Sequence, residues 1–233
     1  MTTVPVSAAT FLGDNTVTAL GDLSRALAGA GVAVEIVPGA RSSDDARRSA
    51  PGVDLVWLCG ALFNDLRQSG LLDHEVIAVP VFDGQTEPCY HSVVISRADG
   101  PASIDDSLDG VVAVNEIASW SGHRTLRRHV APRWFANQIE TGSHAASISA
   151  VVSGAADVAA IDHTIWRSTS PADRDGLRVI ERTVSWPAPP IVLRRDIDPA
   201  VRTVVVDVVR SAGTVTGVAR FEPGTAERYE VMT

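Results

Sequence analysis

The chain has 233 residues, 45% of them hydrophobic and 21% charged, which excludes a disordered chain and suffices for one large core or two smaller ones. Its net charge of −8, with a pI near 5.2, argues against nucleic acid or an anionic membrane surface as the main partner. All 20 basic residues are arginine, which removes Schiff-base lysines, covalently held pyridoxal phosphate and the G-x-x-x-x-G-K-[ST] phosphate loop.

Taken in order, the apolar start VPVSA precedes NTVTALGDLSRALAGAG. There Val17, Leu20, Leu23 and Leu27 share one face at helical spacing, with Asn15 or Thr16 as cap and Gly29 or Gly31 as stop. VAVEIV at 32–37 reads as a strand, Asp44 to Arg48 as a short helix, VDLVWL at 53–58 as a strand, Leu62 to Gln68 as a helix and VIAVPVF at 76–82 as a strand. Such alternation predicts a mostly parallel sheet covered by helices. A second round follows: YHSVVIS at 90–96, VVAVN at 111–115, a helix TLRRHVA at 125–131, the segment WFANQIETGS and a helix SHAASISAVVSG. DVAAID at 157–162, a helix near Thr164 and LRVIERT at 177–183 complete it. The Pro-rich SWPAPPIV leads to a last helix, PAVRTVVVDVVRSAG, and a polar tail. Two similar rounds predict two α/β lobes.

Cys59 and Cys89 are too few and too far apart for a paired C-x-x-C zinc site; they read as buried free thiols, with a single disulfide as the alternative. The six histidines, at 74, 91, 123, 129, 144 and 163, show neither H-x-x-x-H nor H-E-x-x-H spacing, so no metal site is expected. No run approaches the roughly 18 apolar residues of a membrane span. The start MTTVPVSAAT has neither a basic n-region nor a long apolar core, and no lipobox cysteine is near it. As written the chain reads as cytoplasmic, or as periplasmic or cell-surface if a leader precedes it.

The chemistry concentrates at EIASWSGHR, 116–124, between an apolar strand and a helix. Hydroxyls of Ser119 and Ser121, beside a glycine (Gly122) that lets backbone approach closely, form either an oxyanion cradle or a plain N-cap. Ser143 and His144 open a later helix in the same manner. Asp162 ends a strand, where an open α/β sheet presents side chains to a ligand, or else caps the next helix. Ser121, His144 and Asp162 are the residue types of a hydrolase triad, but SWSGH lacks the first glycine of G-x-S-x-G, so a triad is not expected.

The ordered set VDLVWLCG, YHSVVISRAD, VVAVNEIASWSGHRTL, ETGSHAASISAVVSGAADVAAIDHTIW and RFEPGTAERYEVM resembles the phosphate/phosphonate-type substrate-binding proteins of ABC importers, from about residue 53 to the end. The resemblance implies a type 2 periplasmic-binding-protein fold: two α/β lobes joined by two crossing strands, with ligand in the cleft and hinge closure. Lobe one is then 1–88 plus 187–233 and lobe two 89–186, with hinges near Pro88 to His91 and Ser185 to Pro187. It implies a small anionic ligand, an ABC permease as partner and no cofactor. Ser119, Ser121, Gly122, Ser143 and His144 fall on the family's anion site, with Asp162 and Tyr90 at the ligand's other end. Phe11, Trp57, Cys59 and Gly60 would line the facing wall, and Trp186 sits at the second crossing. Trp120 stands where the family usually has the threonine of S-T-S-G, so it either stacks on a planar or apolar ligand body or packs against the hinge. A cytosolic lyase or cofactor-biosynthesis enzyme acting on a small carboxylic acid is the alternative on the same fold, with His144 or Asp162 handling a proton.

Overall fold

The computed structural model describes residues 5–12, 15–39 and 42–232. Contacts divide the chain into two units, Met1–Cys89 with Pro187–Thr233, and Tyr90–Trp186.

The first unit runs β1 (Val6–Thr10), α1 (Asn15–Gly29), β2 (Val34–Ile36), α2 (Ser43–Ser49), β3 (Leu55–Trp57), α3 (Gly60–Gln68) and β4 (His74–Phe82). After a first connecting strand, β5 (Cys89–Tyr90), the second unit runs β6 (Ser92–Arg97), β7 (Val111–Val114), α4 (Thr125–Val130), β8 (Asn137–Glu140), α5 (His144–Ser153), β9 (Val158–Asp162), α6 (His163–Ser168) and β10 (Leu177–Arg182). The return strand β11 (Trp186–Pro187) pairs with β5, and β12 (Ile191–Arg194), α7 (Pro199–Ser211) and β13 (Val218–Glu222) complete the first unit.

In the first unit the sheet order is β13-β4-β12-β3-β1-β2. Only β1 with its neighbours β2 and β3 is parallel; β12 pairs antiparallel with β3 and β4, and β13 with β4. In the second unit the order is β10-β6-β9-β7-β8, with β7 parallel to β8 and β9, and β6 antiparallel to β9 and β10. The expected mostly parallel sheets are therefore mixed. The cause is the chain's return: β12 and β13 reach the first sheet from the C-terminal side, and β6 and β10 enter and leave the second.

Strand β12 was hidden behind SWPAPPIV, β8 lay unread inside WFANQIETGS, and the tail read as polar holds β13 and the fully buried Tyr229 and Met232. In α1 the buried face is Thr16, Ala19, Leu20, Leu23 and Leu27, while Val17 is 49% exposed and falls off it. The helix begins at Asn15, so its cap lies outside the described residues; Thr16 instead sits 2.6 Å from the Thr10 hydroxyl. Gly31, with φ of +85°, turns the chain after the helix, a conformation that glycine adopts without strain.

The second unit shows why its site forms where it does. Along β6, β7 and β9 successive side chains alternate between two cores: Val94, Val112, Val114, Val158 and Ala160 pack with Leu126 and Val130 of α4, whereas Val93, Ile95, Ala113, Ala159 and Ile161 pack with Ile148 and Val151 of α5. Helices thus cover both faces of the sheet. The chain leaves the carboxyl ends of β7 and β8 toward opposite faces, the arrangement that opens a crevice at a strand-order switch.

Candidate anion-binding site

Between β7 and α4, residues Trp120–Arg124 form one π-helical turn. Ser119 is its cap, the hydroxyl accepting from Gly122 N at 3.1 Å, and Thr125 N closes the turn on the Trp120 carbonyl. The cap predicted at this join is present, although the turn is wider than an α-helix, a form frequent at functional sites. Gly122 is required by space. A Cβ there would lie 1.8 Å from Asn115 Oδ1 and 3.2 Å from His144 Cε1. Gly122→Ala is expected to force the turn off Asn115 and cost about 1–3 kcal/mol. A wild-type urea midpoint in that variant would refute this packing.

Across the sheet edge, Ser143 caps α5, its hydroxyl accepting from Ala146 N at 3.1 Å, and stays exposed. The loop before it is tied to the end of β7: Thr141 N donates to Val114 O at 2.9 Å and Gly142 N to Asn115 O at 2.7 Å. These ties bring His144 to the π-turn, with Nε2 at 3.0 Å from Ser121 Oγ. Ser121 is 9% and His144 8% exposed. Ser121 is held from behind as well, since Ser92 Oγ donates to its carbonyl at 2.8 Å. Burial lowers the His144 pKa, opposed by the nearby Asp162 charge, so the imidazole is neutral at pH 7. Burial conversely raises the Asp162 pKa, opposed first by His144. Asp162 caps α6, accepting from Thr164 N at 2.8 Å and Thr164 Oγ1 at 2.7 Å.

Ser119, Ser121, Gly122 and His144 therefore meet, with Asp162 close enough to act electrostatically on His144. Of the two readings left open for Trp120, its burial favours packing over a ligand platform. Its indole is fully buried, edge-on to Trp186 at 4.7 Å between ring centroids, because an apolar side chain on the inner side of the turn packs rather than faces ligand. Tyr90, at the start of this unit, is buried at 3% exposure.

In the first unit, Phe11 follows β1 and is half-buried, its N–H donating to Trp57 O at 2.8 Å. Cys59 precedes α3 and is half-buried rather than buried; neither cysteine is in a disulfide. Gly60 opens α3 directly over Tyr229, whose ring a Cβ would meet at 2.6 Å. Trp57, read as part of a ligand-facing wall, is instead core: it is 1% exposed, and Nε1 donates to Pro189 O at 3.1 Å. Sequence reasoning missed Asn115 and Ser92 as supports of the turn. Only the incompatibility of Gly122 with any side chain signals Asn115, and it needs coordinates. Among the described residues no group of three or more His, Cys, Asp or Glu could hold a metal ion, and no helix is long and apolar enough to cross a membrane.

A family model described as the periplasmic phosphonate substrate-binding protein of ABC transporters matches residues 14–229. The chain belongs to this family. A search of curated proteins finds no match. Among solved structures, this phosphonate-type binding protein is similar to PhnD1 of Prochlorococcus marinus in complex with methylphosphonate, at 16% identity and TM-score 0.79, over 97% of this chain and 95% of that one. It is also similar to a binding-protein component of a phosphonate ABC transporter from Pseudomonas aeruginosa, at 16% identity and TM-score 0.78, over 97% and 83%. XAC2383 of Xanthomonas citri bound to ATP follows, at 18% identity and TM-score 0.74, over 99% and 96%. These likenesses establish a periplasmic-binding-protein fold. The enzyme alternative finds no support in them.

Proposed function

We propose that this protein captures a small oxyanion of the phosphonate or phosphate-ester class on the second unit, through Ser119, Ser121 and His144, and delivers it to an ABC permease on the extracytoplasmic side. The observation that carries the reading is the Ser121 Oγ to His144 Nε2 contact at 3.0 Å, made by two separate helical starts at one sheet edge. With the Nε2–H tautomer donating to Ser121, the serine hydroxyl keeps its own hydrogen for a ligand oxygen. Ser119 likewise accepts from Gly122 N and keeps a donor. In the free protein the neutral imidazole supplies that hydrogen bond, and its protonation on ligand binding would set a cation beside the anion. Asp162 and Tyr90 complete the site on the side away from the anion.

The test is calorimetric titration with methylphosphonate, inorganic phosphate and small phosphate esters. Ser121→Ala combined with His144→Ala is expected to abolish binding while moving the melting temperature by only a few degrees. Retained binding in the double variant would sink the assignment. Measured relative to His144→Gln, which shares the ligand's own ionisation, binding is also expected to tighten as pH falls from 8 toward 6, because a bound anion raises the depressed His144 pKa and so takes up a proton; a ratio independent of pH would argue against His144 as the contact.

A further inference from the structure

The anion-contacting residues of the π-turn sit inside a frame built by one distant side chain. Trp186, the last residue of the second unit, touches both ends of the five-residue turn. Its ring meets Trp120, the first residue, edge-on at 4.7 Å and 84°. Its indole N–H donates at 2.7 Å to Oγ1 of Thr125, the residue whose backbone N–H closes the turn on the Trp120 carbonyl. Thr125 is 1% exposed and Trp120 fully buried, so the turn's side of each joint is shielded from water, while Trp186 itself is half-buried. The Arg128 guanidinium lies over both rings, 5.4 Å from that of Trp120 and 5.8 Å from that of Trp186. Ser121 and Gly122 lie between the two clamped ends.

A π-helical turn is a wide ring, and its backbone keeps that width only where the surroundings hold it. Here the holding group comes from 61 residues away in sequence, at the point where the chain leaves the unit. We infer that Trp186, acting through its hydrogen bond to Thr125, is a positioning residue for the anion cradle: it sets where Ser121 and Gly122 sit relative to His144 without touching ligand itself. This rests on the assignment of the cradle given above. It also accounts for the tryptophan in SWSG, whose ring packs edge-on against Trp186.

The experiment compares Trp186→Phe, which keeps an aromatic ring but removes the donor, with Thr125→Val, which keeps the shape but removes the acceptor, and with the double variant. Two readouts are taken on the full-length chain: backbone amide and His144 ring resonances followed through a pH titration, and the dissociation constant for methylphosphonate. The expected result is that both single variants move the Ser121 and Gly122 amide signals and the His144 titration midpoint. Each should weaken methylphosphonate binding by about three- to tenfold, and the double variant should be no worse than either single one, since all three remove the same hydrogen bond. Unchanged Ser121, Gly122 and His144 signals would overturn the inference whatever the affinities. Losses that multiply in the double variant would also overturn it, because they would mean independent structural damage. Moved signals in a protein that binds neither methylphosphonate nor phosphate would leave the positioning role standing and remove the proposed function instead.

Discussion

Trp120→Ala is expected to destabilise the protein by about 3–5 kcal/mol, the range for deleting a fully buried large aromatic side chain. The indole is completely buried, its edge contact with Trp186 would be lost, and the Arg128 guanidinium would lose one of the two rings beneath it. Trp120→Thr, which restores the hydroxyl of the S-T-S-G pattern, is expected to cost nearly as much, because it leaves the same cavity and adds a buried polar group. Trp120→Phe should be much milder. Urea denaturation checks this: the midpoint falls while the slope stays constant if the loss is one of packing. A Thr variant as stable as wild type would show that the indole occupies space the fold does not need.

The second large effect is loss of stability in mild acid. Burial lowers the pKa of His74, His91, His144 and His163, the last from 6.5 to about 4. A base whose folded pKa lies below its unfolded value is protonated first in the unfolded chain. Stability is therefore complete above pH 6.5 and falls as pH drops from there toward 4. His163 alone, 3% exposed, contributes roughly 3 kcal/mol over that window. Its ring is stacked on His91 at 4.4 Å, so charging either one places a cation against the other, and Arg167 and Arg182 oppose protonation further. Asp162, whose pKa is raised, acts in the opposite direction and offsets part of the loss. The melting temperature should fall by roughly 10 °C between pH 7 and pH 4.5. His163→Phe should flatten that decline; a wild-type profile level to pH 4.5 would contradict the burial of these imidazoles.

How much of this the sequence displays depends on how local the signal is. The helix starts at Ser119 and Ser143 and the strand end at Asp162 are local events, written in a few consecutive residues, and they appear where expected. The alternation of valines and alanines along β6, β7 and β9 was equally legible as apolar runs. Orientation was not. Whether Trp120 faced ligand or core was undecidable from SWSG because its partner, Trp186, is remote in sequence. Val17 fits a helical stripe as well as Thr16 does on spacing alone, and tertiary packing chose the threonine face. Strands β12 and β13 were obscured because one follows a run of prolines and the other carries an exposed arginine, Arg220, as an edge strand should. The mixed character of the first sheet follows from those two strands and was lost with them; in the second, β6 and β10 were legible as strands but their antiparallel direction was not.

The first unit is assembled from both ends of the chain, and this dictates an order of events during synthesis. Strand β12 lies between β3 and β4 in the sheet, and Tyr229, packed under Gly60 and Phe63, donates its hydroxyl hydrogen to Ala188 O at 2.8 Å. None of these groups exists while residues 1–89 are emerging from the ribosome, so β3 and β4 wait with open edges. The second unit is one continuous stretch and can be complete first. The sheet of the first unit therefore stays incomplete until residues 187–232 have been made, whereas every residue of the second unit is present before them.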